Sequence, residues 1–126
     1  MRRNGVPLLF NSDLSGSDFG IFYGLHSAIT RTNRELKPEG GWFPDQRMTP
    51  EEALRGYTVW PAFASFREEL TGTIEVGKWA DLTVLSMDPL NVGTTDPHAL
   101  LEGEAIMAVV RGRIAMDRAG GGGSVQ

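Results

Sequence analysis

The sequence predicts an α/β protein, and three observations support that class. Residues 6–10 (VPLLF) form a short, wholly apolar run, which is typical of a strand buried on both faces of a sheet. Residues 21–70 carry apolar side chains at helical spacing. From Thr71 onward, short β-rich segments alternate with turns, which indicates a second structural unit that begins near residues 70–72.

The predicted strand leads through a loop into a helix. The loop covers residues 11–20, which are rich in Ser, Asp and Gly. Apolar residues at helical spacing predict a helix over residues 21–31, although a glycine weakens it. A polar connection over residues 33–45 follows, and we expect its adjacent aromatics, Trp42 and Phe43, to pack back on the body of the protein.

The start of the next helix is well marked in the sequence. Thr49 is a good N-cap and Glu52 lies three residues later, so the two can form a capping box in which each accepts a backbone hydrogen bond from the other. Pro61 is expected to kink or end this helix, because proline has no N–H to donate. A second short helix is expected over residues 62–70.

The second half of the chain has the composition of short antiparallel strands. We predict a strand-like start over residues 73–75, a strand over residues 80–85, and a hairpin formed by residues 106–111 and 113–116. Gly112 supplies the tight turn of that hairpin. The predicted secondary structure of this half therefore differs from that of the preceding half, which is a strand followed by helices.

The bulk composition excludes several functions. A net charge of −4 and a pI near 5.1 argue against nucleic acid as a partner, because phosphate binding needs a basic face. The chain has no cysteine, so disulfides and Cys-ligated metals are excluded. No apolar run approaches the roughly 18 residues that span a bilayer. We see no targeting segment and expect a cytoplasmic protein that does not bind membranes.

Four sequence blocks occur in a characteristic order. They are AITR (28–31), RMTPEEAL (47–54), GTIEVGKWADLTVLSMDP (72–89) and VVRGR (109–113). With this order the chain resembles the C-terminal portion of metal-dependent amidohydrolases, specifically the amidohydrolase 3 branch, which is similar to exoenzyme-regulatory proteins and to N-acyl amino-acid and formamide deacylases. The resemblance covers residues 5–117.

The resemblance implies an architecture and a chemistry. Residues 1–71 would be the end of a (β/α)8 TIM barrel, with residues 6–10 as its eighth strand. Residues 72–118 would be the C-terminal part of a small β-sandwich, called the composite domain, and residues 119–126 a flexible tail. Such enzymes hydrolyse amide-type, non-peptide C–N bonds of small molecules with a water activated by a divalent metal, usually zinc.

The dipeptide Ser-Asp occurs twice, and the resemblance selects the first pair. The family form Gly-Ser-Asp matches the second pair, at residues 16–18, but catalytic residues of a barrel lie at the C-terminal ends of its strands. Asp13 lies three residues after Phe10, at that end, and Asn11 then replaces the family glycine. We expect Asp18 to be a loop or helix-cap residue.

By resemblance, Asp13 would be the catalytic general base and would bind the metal or its water. A carboxylate suits both tasks, because it is a hard oxygen ligand and can accept a proton from an activated water. On the residues alone, the alternative is that Asp13 only caps a loop or the following helix.

The other ionisable residues are expected to be structural. His26 lies within a predicted helix, where outer packing or a hydrogen bond is the expected role, and His98 is expected to be solvated in a loop. Asp81 belongs to a family signature and should stabilise a turn that enters a sandwich strand. Lys78 and Glu75 are interpreted in the same way.

The sequence lacks most of a catalytic metal site. A hydrolytic zinc keeps about three protein ligands, which this family takes from several strands, and the chain has two isolated histidines and no His-x-His pair. We therefore expect the chain alone to hold no metal and to be inactive. Two alternatives remain open: a non-catalytic remnant, or a small binding or scaffold domain, either of which would act or self-associate through the exposed edge of residues 6–10.

One hypothesis for substrate binding is a pocket rim formed by loop and helix residues. Its members would be Asn11, Ser15, Phe19, Phe22 and Trp42.

Overall fold

A computed structural model of the chain describes residues 4–13 and 20–118. The elements in chain order are α1 (Ile21–Thr30), a first 3₁₀ helix (Pro44–Gln46), α2 (Pro50–Tyr57), α3 (Val59–Ala64), β1 (Leu82–Leu85), α4 (Pro89–Thr95), a second 3₁₀ helix (Pro97–Glu102), β2 (Ala105–Val110) and β3 (Arg113–Asp117). The strands form an antiparallel sheet in the order β1-β2-β3. The predicted α/β class is confirmed at this level. No helix in the described part of the chain has the length and apolar character needed to cross a bilayer.

The two predicted helix starts are close to those observed. Helix α1 ends where Arg31 adopts a left-handed φ of 63° and donates its N–H to the carbonyl of Ser27. At the start of α2, Thr49 Oγ1 accepts the N–H of Glu52 at 3.2 Å, and the Glu52 carboxylate accepts the N–H of Thr49 at 2.9 Å. The predicted capping box is therefore confirmed.

The helix predicted over residues 62–70 is wrong in its bounds. Helix α2 ends at Tyr57, and Pro61 is the third residue of α3, where its missing N–H leaves no broken bond. Ser65 Oγ donates to the carbonyls of Pro61 and Ala62, and Phe66 adopts a left-handed φ of 57°. These features end α3 at Ala64.

The hydrophobic core lies between the helices. Its buried side chains are Phe22, Leu25, Ile29, Met48, Ala53 and Leu100. Leu100 belongs to the second 3₁₀ helix, which packs on α1 together with α4, although both elements lie between β1 and β2 in the chain. The connection between these strands thus completes the core of the helical half. The predicted boundary between residues 71 and 72 stays a prediction.

The sheet is thin and contributes little to this core. None of its residues is fully buried. Gly112, at a left-handed φ of 78°, forms the turn between β2 and β3, which confirms the predicted hairpin. The strand predicted at residues 73–75 is wrong: this segment forms no strand and leaves Ile74 89% exposed.

The strand predicted over residues 6–10 is also not formed. Strands require neighbours to pair with, and within residues 4–13 and 20–118 this segment instead donates the Phe10 N–H to the carbonyl of Gly56, in a helix, at 2.9 Å. Val6 and Leu9 are 47% and 51% exposed. Two apolar side chains of the run therefore remain about half exposed within the described part of the chain.

Candidate active-site segment

The segment that carries Asp13 is anchored by one aromatic side chain. The Phe10 ring meets the Tyr57 ring edge-on, with centroids 5.4 Å apart, and lies over Gly56. Gly56 is buried and has no side chain, which lets the ring approach the backbone of α2 closely. Burial raises the pKa of Tyr57, so its hydroxyl stays protonated at neutral pH. Phe10 thus fixes the chain three residues before Asp13.

Asp13 itself lies in a tight polar turn. Its N–H donates to Oδ1 of Asn11 at 2.7 Å, and its φ of 48° is in the left-handed region, which aspartate tolerates better than most residues. Asp13 is exposed. Asn11 therefore stabilises the turn that presents the carboxylate. Asp18 lies outside the described residues.

An open groove of about 800 Å³ runs beside this segment. It is lined by residues of the N-terminal segment, of α1 and of the region before α2: among them are Leu8, Phe10, Asn11, Ser27, Arg31 and Met48. Asp13 is not part of its wall. Of the described rim residues, Asn11 lines the groove, whereas Phe22 is buried in the core and Trp42 is exposed elsewhere; Ser15 and Phe19 lie outside the described residues.

The adjacent aromatics of the loop after α1 do not pack on the core. Trp42 and Phe43 are 61% and 53% exposed, and their rings contact each other at 4.8 Å. The Arg31 guanidinium lies 5.2 Å from the Trp42 ring and donates from Nε to the Trp42 carbonyl at 3.0 Å. The prediction that both rings pack back on the body of the protein is wrong: they contact each other and the Arg31 side chain, and neither belongs to the buried core.

The two histidines, interpreted separately from the sequence, contact each other. His26 Nε2 lies 3.1 Å from His98 Nδ1. His26 is fully buried and His98 is exposed. Burial, then the charges of His98 and Arg34, lower the pKa of His26. His98 is exposed, as expected, but it lies in the second 3₁₀ helix and not in a loop, and this helix brings it into contact with α1.

The described residues do not bring together the ligands of a catalytic metal site. Among residues 4–13 and 20–118, no group of three or more His, Asp or Glu side chains is arranged to hold a metal ion. A hydrolytic zinc takes about three protein ligands, and the Asp13 segment offers one carboxylate. The donor set therefore does not fit a complete site.

Asp81 makes a structural contact. Asp81 Oδ1 accepts the N–H of Arg111 at 2.7 Å, which ties the start of β1 to the β2–β3 turn. Lys78 Nζ donates to Thr73 Oγ1 at 2.6 Å and lies 3.7 Å from the Glu75 carboxylate. These contacts agree with the structural roles predicted for the three residues.

Comparison with known proteins gives a consistent family. The family model described as "Amidohydrolase family" matches residues 1–116. The chain is 42% identical, over 91 residues, to N-substituted formamide deformylase of Arthrobacter pascens. These 91 residues are 72% of this chain and 16% of that protein. It is 29% identical to imidazolonepropionase of Thermoplasma volcanium, over 68% of the chain and 18% of the relative.

A third similar protein comes from a plant. The chain is 29% identical to Protein LONG AFTER FAR-RED 3 of Arabidopsis thaliana, over 76% of the chain and 16% of that protein. The chain thus spans less than a fifth of each of these relatives. The family model covers most of the sequence, including all four blocks and the Asp13 segment. The chain belongs to the amidohydrolase family.

Proposed function

We propose that the chain is the C-terminal portion of an enzyme that hydrolyses amide-type, non-peptide C–N bonds. The single observation that carries the proposal is the match of the amidohydrolase family model to residues 1–116. In the proposed architecture residues 6–10 are the last strand of a TIM barrel, and the three-stranded sheet is a share of a composite β-sandwich. The exposure of Val6 and Leu9 supports this, because neighbouring strands would cover them.

Asp13 is proposed as the general base of the reaction. Its carboxylate would accept a proton from the attacking water and pass that proton to the leaving nitrogen as the C–N bond breaks. The Asn11 turn and the Phe10 anchor would hold the carboxylate at the strand end, where barrel enzymes place their catalytic groups. The Asn11 contact joins residues two apart in sequence, so it would persist with the rest of a barrel present.

The metal that the family uses would need ligands beyond the described residues. A divalent ion, in this proposal zinc, supplies Lewis-acid activation of water when bound. The described residues contribute at most the Asp13 carboxylate, so this chain alone is proposed to be inactive. N-substituted formamides are the first substrates to test, because one relative is named for deformylating them.

The experiment compares two aspartates in the polypeptide that carries these residues together with the rest of the barrel. Asp13→Asn should lower kcat about 10³-fold, within the range of 10²–10⁴ that general-base catalysis contributes, with little change in KM. Asp18→Asn is the matched control and should keep wild-type kcat. Equal losses in both variants, or none in Asp13→Asn, would contradict the assignment of Asp13.

The 126-residue chain by itself gives a second test. We expect no turnover of N-substituted formamides and no stoichiometric zinc by elemental analysis. Turnover with bound zinc would show that the chain contains a complete site, contrary to the proposal.

A second candidate function is a non-catalytic domain that binds a partner or a second copy through residues 6–10. The observation that favours it is that this apolar segment pairs with no strand of the described part of the chain. Self-association would follow from such an exposed edge. Size-exclusion chromatography should then show dimers or larger species, and a compact monomer would count against this function.

A further inference from the structure

We propose that Asn4 is a site of spontaneous covalent modification, at which the Asn4-Gly5 pair rearranges to aspartate and isoaspartate. The chain has four asparagines, and Asn4 is the one that precedes a glycine. Glycine has no Cβ, so its backbone nitrogen can approach the preceding side chain with little steric hindrance. The proposal does not depend on the hydrolase activity, because the reaction does not involve Asp13.

The reaction needs only water as a co-reactant. The backbone nitrogen of Gly5 attacks Cγ of Asn4, and the new C–N bond closes a five-membered succinimide ring. The side-chain nitrogen leaves as ammonia, together with the proton lost by Gly5. Water then opens the ring at one of its two carbonyl carbons. Breaking the new C–N bond gives aspartate, whereas breaking the original peptide bond gives isoaspartate, in which the chain continues through the side-chain carbon.

The surroundings of Asn4 leave the rearrangement unobstructed. Asn4 and Gly5 are both exposed, and Gly5 has a left-handed φ of 71°. Ring closure requires Asn4 to leave the helical turn in which it lies, and a Cβ built on Gly5 would meet no atom within 4 Å, so nothing blocks this rotation. Within residues 4–13 and 20–118, neither the Asn4 side chain nor the Gly5 N–H has a hydrogen-bond partner.

The other three asparagines are restrained. Oδ1 of Asn33 accepts two backbone N–H groups, at 3.0 and 2.9 Å. Oδ1 of Asn11 accepts the N–H of Asp13 at 2.7 Å. Asn91 lies inside helix α4 and precedes a valine, whose branched side chain hinders the approach of the backbone nitrogen. The fold therefore leaves Asn4 as the asparagine with a free side chain and an unhindered neighbour.

Conversion would change the groove beside this segment. Asn4 lines that groove together with Arg31 and Asp45. Arg31 uses Nε for the carbonyl of Trp42 and has no acidic partner among the described residues. A carboxylate at position 4 adds a negative charge to this wall, in a chain whose formal net charge is −4. Isoaspartate also lengthens the backbone by one methylene group just ahead of residues 6–10.

Peptide mapping by mass spectrometry follows the conversion in the 126-residue chain at pH 7.5 and 37 °C. Asn4 should convert at least about tenfold faster than Asn11, Asn33 or Asn91, which corresponds to about 1.4 kcal/mol in activation free energy. In ¹⁸O-labelled water the product should carry the label at residue 4, and an isoaspartate carboxyl methyltransferase should methylate it. Similar rates at the four asparagines would overturn the proposal.

A peptide with the sequence of residues 2–9 separates the effect of the fold from that of the dipeptide. If the fold leaves Asn4 unobstructed, the folded chain and the peptide should convert at rates within about tenfold of each other. A rate in the folded chain that is lower by more than this factor would show that the structure protects Asn4, and the proposal would then be wrong.

Two variants provide matched controls. Asn4→Gln keeps an amide but requires a six-membered ring, so the added negative charge should no longer develop in ion-exchange chromatography. Arg34→Gly creates a second Asn-Gly pair, at Asn33, whose side chain is held by two hydrogen bonds. Conversion there should stay at least about tenfold slower than at Asn4. Circular dichroism confirms that the helices of this variant are retained.

Each control has an outcome that contradicts the proposal. Undiminished charge development in Asn4→Gln would assign the modification to another residue. Equal rates at Asn33 and Asn4 in folded Arg34→Gly would mean that the freedom of the Asn4 side chain does not select the site.

Discussion

Substituting Gly56 by alanine tests whether Phe10 anchors the segment that carries Asp13. An added Cβ at Gly56 would lie 2.7 Å from Cδ2 and 2.9 Å from Cε2 of the Phe10 ring, closer than carbon atoms approach in folded proteins. Glycine to alanine inside a helix ordinarily stabilises by about 1 kcal/mol. Overpacking ordinarily costs about 1–3 kcal/mol. The two effects have opposite signs, so the contact with Phe10 decides the outcome.

We expect Gly56→Ala to destabilise the chain by about 1 kcal/mol, taking about 2 kcal/mol for the clash and about 1 kcal/mol for the gain in helix propensity. With a urea m-value of about 2 kcal/mol/M, the midpoint should fall by about 0.5 M. Circular dichroism at the helical band follows the transition. Phe10→Ala provides the matched background, since it removes the ring that the new methyl group meets.

In that background the sign should reverse. Gly56→Ala on Phe10→Ala should stabilise by about 1 kcal/mol, so the double-mutant cycle should give a coupling of about 2 kcal/mol. If Gly56→Ala raises the midpoint equally in both backgrounds, Phe10 does not lie over α2. The position of Asp13 inferred from that contact would then be wrong.

Three further predictions concern stability. Thr49→Ala should cost about 1 kcal/mol through loss of the capping box, and Glu52→Gln, which keeps a side-chain acceptor, should cost less in the same urea titration; equal losses would contradict the reciprocal cap. Asp81→Ala should lower the free energy of unfolding by about 1–2 kcal/mol, because the N–H of Arg111 loses its acceptor. Asp81→Asn is the control, since it retains an acceptor. An unchanged free energy of unfolding in both variants would exclude a structural role for Asp81. The lowered pKa of His26 means that the unfolded chain binds the proton first, so the free energy of unfolding should be greatest above the ordinary histidine pKa of about 6.5 and should fall as the pH drops below it. His26→Gln should remove this part of the pH dependence, and a slope that is the same in wild type and variant would assign it to other groups.

The sequence by itself determined the features that depend on neighbouring residues. The capping box at Thr49 and Glu52 requires only a spacing of three residues, and the turn at Gly112 requires only a residue that tolerates a left-handed φ. The family was also evident, because its four blocks lie in order along the chain, and the family model confirms it. These features needed no knowledge of which elements contact one another.

The tertiary structure decided the features that depend on distant partners. The apolar run at residues 6–10 has the composition of a strand, but a ladder needs a neighbouring strand, and a helix carbonyl at Gly56 is the partner that Phe10 finds. The contact of His26 with His98 could not be predicted either. It depends on the second 3₁₀ helix, which lies between β1 and β2 in the chain, folding back onto α1. Local spacing fixes caps and turns, whereas pairing and burial depend on which surfaces the whole chain brings together.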